Sequence, residues 1–211
     1  MHGGNVWDGD PKQWLDFSAN LIEETPDWVV DALTRAIGEA GFYPDSTSLK
    51  EREALAVFIG IPQSCVLPTA GGASAIRMAA TLSRGTAWLV APCFTEYERA
   101  VSLAGGSARF VSILDGHTIL QPSKLLAGRI GDGDTVWLCN PLNPVGIAFD
   151  REEVTALLTL AEQNNAWLIV DEAFIQFASE NTSISLVSQS SHIVIIGSLT
   201  KALCIPGVRL G

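Results

Sequence analysis

No apolar stretch in this 211-residue chain is long enough to span a bilayer, which sets aside a transmembrane helix. Basic charge is scarce: 13 Lys and Arg against 23 Asp and Glu leave a formal net charge of -10. A surface of that sign does not displace the counterions of a nucleic acid and is not drawn to anionic lipid, so neither nucleic acid nor membrane is an expected partner. The opening Met1-His2-Gly3-Gly4-Asn5 lacks the basic and apolar regions of a secretion signal, leaving a cytoplasmic location as the expectation. The four cysteines, Cys65, Cys93, Cys139 and Cys204, have no metal-ligand spacing, and three lie in or beside apolar segments. They read as small core residues in a reducing compartment, with no metal site. Internal repeats and low-complexity segments are lacking as well.

What is present is a composition that is 47% hydrophobic and only 17% charged, enough for a sizeable core in about one domain. Residues 1–24 read as an irregular N-terminal arm with a short apolar piece at 14–17. Thr25-Pro26 then predicts a helix start, with Thr25 as N-cap and Pro26 in the first turn, the apolar spacing running to Gly41. Ser48, with Glu51 three residues on, predicts a capping box and a helix to about residue 59. Beyond Gly71-Gly72 the pattern alternates between helix and strand. Helices are predicted from 70 to 82, over 96–103 and from 150 to 164, the last with Asp150 as cap and Glu153 as its box partner. Strands are predicted over 87–91, 108–113, 135–139, 166–170 and 193–196. Several of these are too apolar to have a wet face, which implies a mainly parallel α/β sheet with helices on both sides.

In such sheets ligands bind beyond the carboxyl ends of the strands, and the polar residues of this chain collect there. Lys201 follows one strand in Ser198-Leu199-Thr200-Lys201. It is either a solvated loop lysine or a desolvated amine able to form a Schiff base. Asp171 ends Trp167-Leu168-Ile169-Val170-Asp171, where a buried carboxylate needs a partner. It could cap the next segment, pair with an arginine, or face a protonated pyridine nitrogen. Asn140-Pro141-Leu142-Asn143-Pro144-Val145-Gly146 predicts a rigid loop, structural or presenting Asn143 to a phenolate-type oxygen. Ala70-Gly71-Gly72-Ala73-Ser74 at a helix start is either a turn or a phosphate site, with Ser198 and Arg209 able to complete it. Phe94, after Pro92-Cys93, is either core or a ring that stacks on a flat heterocycle.

Together and in this order, these motifs resemble the fold-type I, aspartate-aminotransferase-like enzymes that use pyridoxal 5'-phosphate. The resemblance runs through nearly the whole chain. It implies the three-layer α/β large domain of those enzymes over residues 25–211, with residues 1–24 as an arm. By resemblance, Lys201 and Asp171 are the catalytic pair, Lys201 carrying the cofactor as a Schiff base and Asp171 pairing its ring nitrogen. Asn143 contacts the ring hydroxyl, Phe94 stacks on the ring, and Gly72, Ala73, Ser74, Ser198 and Arg209 hold the phosphate. Tyr43 looks like the tyrosine that reaches a neighbouring subunit's cofactor phosphate, which implies a homodimer.

Within the family, His2-Gly3-Gly4-Asn5, Asp16-Phe17-Ser18-Ala19-Asn20 and Phe94-Thr95-Glu96-Tyr97-Glu98-Arg99 look like the L-threonine-O-3-phosphate decarboxylases of cobalamin biosynthesis. That implies a small phosphorylated amino acid as substrate, with His2, Gly3, Asn20 and Asn143 as candidates to bind it. A histidinol-phosphate-type aminotransferase, passing an amino group to 2-oxoglutarate, is the near alternative, and a non-catalytic aminotransferase-like module a further one. A dinucleotide binder would want Gly-x-Gly-x-x-Gly after the first strand, which Ala70-Gly71-Gly72-Ala73-Ser74 does not supply. The sequence departs from the family pattern in three places. Phe174 stands where relatives commonly carry a tyrosine that touches the ring hydroxyl, the phosphate loop Thr69-Ala70-Gly71-Gly72-Ala73-Ser74-Ala75 replaces a Gly-Asn-Gly-Ala-Thr-Glu-like run, and Leu21-Ile22-Glu23-Glu24 follows Asn20 where the family tends to continue Ile-Asn-Pro. Members of the family also continue into a small C-terminal domain bearing a carboxylate-binding arginine. The expectation is therefore a large domain lacking that small one, with sheet edges and apolar surface left open to aggregation.

Overall fold

The apolar runs become strands because their side chains are covered on both faces of one sheet. In this computed structural model, which describes residues 4, 6–10, 13–22, 24–178 and 182–211, the strands are β1 (Thr86–Ala91), β2 (Ser107–Ser112), β3 (Leu114–Asp115), β4 (Thr118–Ile119), β5 (Thr135–Cys139), β6 (Trp167–Asp171) and β7 (Ile193–Ile196). Five of them form a parallel sheet in the order β2-β1-β5-β6-β7. The register aligns Leu89, Trp137, Ile169 and Val194 across four strands. Every residue of β5 is buried, as are Leu168, Ile169 and Val170 of β6. That leaves no wet face, the condition met when helices cover both sides.

The helices are α1 (Asp27–Ala36), α2 (Leu49–Ile59), α3 (Gly72–Ala80), α4 (Glu96–Leu103), α5 (Pro122–Leu126), α6 (Arg151–Gln163) and α7 (Leu199–Ala202). α4 links β1 to β2, and α6 links β5 to β6, so each supplies the crossover that parallel neighbours require. α6 lays Val154, Leu157, Leu158 and Ala161 into the core at helical spacing. No helix among the described residues is long and apolar enough to cross a membrane.

The amino ends of the strands are tied by Asp134. Its buried carboxylate accepts from the Thr86 N–H at 2.6 Å, the Gly131 N–H at 2.8 Å and Trp88 Nε1 at 2.9 Å. Three donors satisfy a carboxylate that would otherwise be costly to bury.

The helix starts differ from their sequence-based expectations. Thr25 does not cap α1: its hydroxyl donates to the Cys204 carbonyl at 2.7 Å, tying the arm to the segment after α7. A long-range acceptor wins over the local one. Ser48 precedes α2 in a left-handed conformation and makes no side-chain cap; the Asp45 carboxylate takes the Leu49 N–H instead, at 3.0 Å. Asp150 does cap α6 through the Glu153 N–H at 2.8 Å. The Glu153 carboxylate does not reach back, because it receives the Ser123 N–H and hydroxyl and so pins α5 to α6. The short β3–β4 hairpin and α5 carry too few residues to show a period and were not foreseen. Of the cysteines Cys139 is buried in the core and Cys93 packs against it, whereas Cys204 is half-buried outside it and Cys65 is exposed in a 3-10 turn, so the core reading fails for Cys65 and Cys204.

β7 is an edge of the sheet among the described residues, and its flank opens on an apolar cavity of about 910 Å³ bordered by α2 and α3. Phe42, Val57 and Phe58 are largely exposed as well.

Candidate active site

The carboxyl ends of β1, β5, β6 and β7 open into one cleft. It is lined by residues that include Gly72, Phe94, Asn143, Asp171, Lys201 and Arg209, contributed by six separate segments. Four of these segments arrive there because a buried strand stops and the chain turns, whereas Gly72 opens α3 and Arg209 follows α7. Phe94 follows β1, Asn143 follows β5, Asp171 is the last residue of β6, and Ser198, Thr200 and Lys201 follow β7.

Asp171 is 6% exposed. Its Oδ2 accepts from the Tyr97 hydroxyl at 2.7 Å, and its Oδ1 from the Ala173 N–H at 3.0 Å. Burial raises its pKa above the ordinary carboxylate value, against the two hydrogen bonds and the Lys201 charge, which favour the ionised form. Lys201 is half-buried, its Nζ about 6.0 Å from the centroid of the Phe174 ring. Desolvation lowers its pKa first, the Arg209 charge adds to that, and Asp171 works in the opposite direction. An amine so placed gives up its proton more readily than a surface lysine.

The anion-binding end is built on close backbone approach. Thr69 and Gly211 exchange hydrogen bonds, N–H to carbonyl, at 2.7 and 3.1 Å, drawing the Arg209 segment alongside Gly71 and Gly72. Gly71 has φ 79° and ψ 162°, a conformation open to glycine, and a Cβ there would lie 2.7 Å from Arg209 Nη2. The guanidinium therefore occupies the space that glycine leaves. The N–H groups of Gly72 and Ala73 lie in the first turn of α3, where no intrahelical acceptor is available. A helix N-terminus, a guanidinium and the Ser198 hydroxyl converge, the last paired with the buried Thr200 hydroxyl at 2.8 Å. That set suits an anion such as phosphate.

The structure brings together Gly72, Ala73, Phe94, Asn143, Asp171, Ser198, Lys201 and Arg209, as read from the sequence. It does not bring the Ser74 side chain into the cleft: that hydroxyl donates to the Ala70 carbonyl at 3.0 Å, as short side chains in a first turn readily do. Tyr43 is fully exposed and does not line the cleft of its own chain, and Asn20 is exposed in the arm. His2 and Gly3 lie outside the described residues. Asn140 faces elsewhere, its amide pairing with both the N–H and the carbonyl of Phe149. Glu172 also turns away, accepting from Thr182 and Ser183. Sequence reasoning missed Tyr97, Thr200 and Cys139. Tyr97 sits three residues after Phe94, one helical turn on, and that spacing was the available signal.

A half-buried amine near a buried carboxylate, with an anion cup at a helix start and an aromatic wall, defines an α/β domain suited to a flat, phosphorylated heteroaromatic cofactor. The chain belongs to the aminotransferase class I and II family, whose model matches residues 12–211, and whose cofactor is pyridoxal 5'-phosphate. Over its whole length the chain is 34% identical to the threonine-phosphate decarboxylase of Salmonella typhimurium, covering 60% of that protein. Over 93% of its length it is 30% identical to a histidinol-phosphate aminotransferase of Mycobacterium bovis, covering 52% of it. The crystal structure of the histidinol-phosphate aminotransferase from Clostridium acetobutylicum superposes with a TM-score of 0.82 at 25% identity, over 92% of this chain and 58% of that one. The chain thus spans a little over half the length of the relatives it matches.

Proposed function

We propose that this chain holds pyridoxal 5'-phosphate in the cleft and forms the cofactor-binding part of an L-threonine-O-3-phosphate decarboxylase of cobalamin biosynthesis, yielding (R)-1-amino-2-propanol phosphate. The observation that carries the reading is the 34% identity to threonine-phosphate decarboxylase along the full chain.

The residues present fit the cofactor. A phosphate monoester matches the first-turn N–H groups of Gly72 and Ala73, the Ser198 hydroxyl and the Arg209 guanidinium, in the cradle that a Cβ at Gly71 would fill. A protonated ring nitrogen gives the buried Asp171 carboxylate the positive partner its burial calls for. Asn143 and Phe94 both line the cleft, where Asn143 would donate to the ring hydroxyl and Phe94 would cover one ring face. When bound, the cofactor supplies a ring that accepts the electron pair released as a bond to the substrate's Cα breaks. Asp171 keeps the proton on the ring nitrogen, without which that ring is a poor acceptor. Lys201 Nζ, its proton affinity lowered by burial, carries the cofactor between turnovers and moves a proton during them. Phe174 offers no hydroxyl, so among the residues assigned here Asn143 alone serves the ring oxygen.

The substrate's phosphate would be met by the arm, with His2, Gly3 and Asn20 as its candidates. Tyr43, fully exposed, is free to reach the cofactor phosphate of a second copy in a homodimer, and the proposed location is the cytoplasm. A histidinol-phosphate-type aminotransferase is the second reading, favoured by the 30% identity to that enzyme of M. bovis.

The test is a titration with pyridoxal 5'-phosphate, following the visible band and its loss on borohydride reduction, with Lys201→Ala as control. A band that requires Lys201 supports the cofactor site. Release of CO2 from threonine phosphate then supports the decarboxylase, whereas amino transfer to 2-oxoglutarate supports the aminotransferase. A folded chain that gives no band refutes both.

A further inference from the structure

Tyr97 takes no part in the cofactor contacts assigned above, yet its surroundings are among the most specific in the molecule. It projects from α4, is 1% exposed, and sends its hydroxyl 2.7 Å to Asp171 Oδ2 across a sequence separation of 74 residues. Its ring lies 5.4 Å from Trp137, tilted by 31°, and 5.9 Å from Phe94, edge-on at 86°. One side chain therefore touches both groups expected to grip the cofactor ring: the carboxylate that meets the nitrogen and the aromatic ring that covers the face.

We propose that Tyr97 is a positioning residue, holding the Asp171 carboxylate ionised and aimed at the cofactor's ring nitrogen while bracing Phe94 against the ring face. The inference rests on the pyridoxal phosphate reading given above. A buried carboxylate has few ways to remain charged, and only two hydrogen bonds reach this one among the described residues. The Ala173 N–H comes from the chain's own next turn and fixes Oδ1. The Tyr97 hydroxyl fixes Oδ2 from a different layer of the fold, so it sets the rotation of the carboxylate about its own axis. Tyr97 is a dependable donor: burial first, then the Asp171 charge, push its own ionisation well above the usual phenol range. It keeps its proton where an ordinary phenol begins to lose it. The neighbouring Cys139 thiol, pushed up to about 12 by burial and by Asp171, stays neutral as well and adds no competing charge.

Removing the hydroxyl should act on the cofactor through Asp171, while its contact with the Cys139 thiol is lost equally in both backgrounds of the cycle below. Hydrogen bonds to charged groups are worth enough that Tyr97→Phe should weaken cofactor binding roughly tenfold or more. The experiment is a double-mutant cycle on the full chain, with the cofactor dissociation constant read from the visible band. Tyr97→Phe should cost that factor beside native Asp171 and close to nothing beside Asp171→Asn. An equal loss in both backgrounds would overturn the proposal in favour of a packing role, and no loss in either would overturn it outright. The cofactor analogue whose ring nitrogen is replaced by carbon provides the same contrast without altering Asp171: native chain and Tyr97→Phe should bind it equally.

The sequence has only two tyrosines, so a Tyr43→Phe chain grown on 3,5-difluorotyrosine carries the label at Tyr97 alone. This covers the case in which Tyr97→Phe fails to fold. Asp171→Asn should shift the fluorine resonance by removing the charge the phenol faces; an unmoved resonance counts against the contact. A native chain that shows no band at all refutes the cofactor reading itself, whereas a native band with a flat cycle refutes only the role of Tyr97.

Discussion

Gly71→Ala offers the sharpest test of how the anion cup is assembled, because two separable costs arise at one atom. The first is backbone strain. At φ 79° and ψ 162° an alanine occupies a region held almost solely by glycine, at about 1–3 kcal/mol. For a domain of this size each kcal/mol lowers Tm by about 2–4 °C, so the expected fall is roughly 2–12 °C. The second is steric. The new Cβ would stand 2.7 Å from Arg209 Nη2 and 3.0 Å from Cζ, and the guanidinium, being the end of a flexible side chain, must swing away. Loss of a charge-assisted contact to phosphate should then weaken pyridoxal phosphate binding about 10- to 100-fold. Repeating the substitution beside Arg209→Ala separates the two costs. The fall in Tm should persist, since it belongs to the backbone, while the further loss of affinity should vanish, since the group displaced is already gone. Thermal melts and spectral titrations of the four proteins suffice. Unchanged cofactor affinity in Gly71→Ala, at native Arg209, would refute the reasoning.

Asn140 and Asn143, three residues apart, should respond in opposite ways. Asn140→Ala leaves the buried N–H and carbonyl of Phe149 without partners and should cost about 2–4 kcal/mol in urea unfolding, whereas Asn143→Ala should leave stability within about 0.5 kcal/mol and weaken cofactor binding. Burial raises the Asp171 pKa and disfavours its charged form, against the Tyr97 and Ala173 hydrogen bonds and the Lys201 charge. Because its folded pKa is raised, its contribution to stability is full below the unfolded value near 3.8 and is lost as pH rises through the folded value. Asp171→Asn should therefore raise Tm of the cofactor-free chain at pH 7 relative to native while abolishing tight cofactor binding; a lower Tm would contradict this. With apolar surface exposed on α2 and an open flank beside β7, the purified chain should self-associate on size-exclusion chromatography as its concentration rises, and a strictly monomeric profile would count against that.

Strand and helix positions were legible in the sequence wherever burial is two-sided or periodic. β5 and β7 fall where their apolar runs begin and end, and α4 lies where Glu96 and Leu103 bound a helical spacing. The cleft was legible for a related reason: polar residues collect past the carboxyl ends of buried strands, although Asn140 and Glu172 turn away from it. What escaped the sequence is long-range choice among acceptors. Thr25 reaches Cys204 and Glu153 reaches Ser123, neither of which local capping rules can foresee. Tyr97 escaped because its significance depends on a partner 74 residues away. Asn140 and Asn143 share a loop and a residue type; the resemblance picked out Asn143, and only the folded loop shows that Asn140 clamps Phe149.

The sheet is polarised. At the amino ends of its strands the Asp134 carboxylate is saturated by three donors from the protein itself, and at the carboxyl ends Asp171 retains an appetite for a partner. One acid knits the scaffold and the other is the one proposed for chemistry, at the opposite ends of the strands. A library that randomises Asn143, Phe174 and Thr200 around Asp171 would explore new substrates while the lower rim continues to specify the fold; the same diversity spent around Asp134 would mostly yield chains that never assemble.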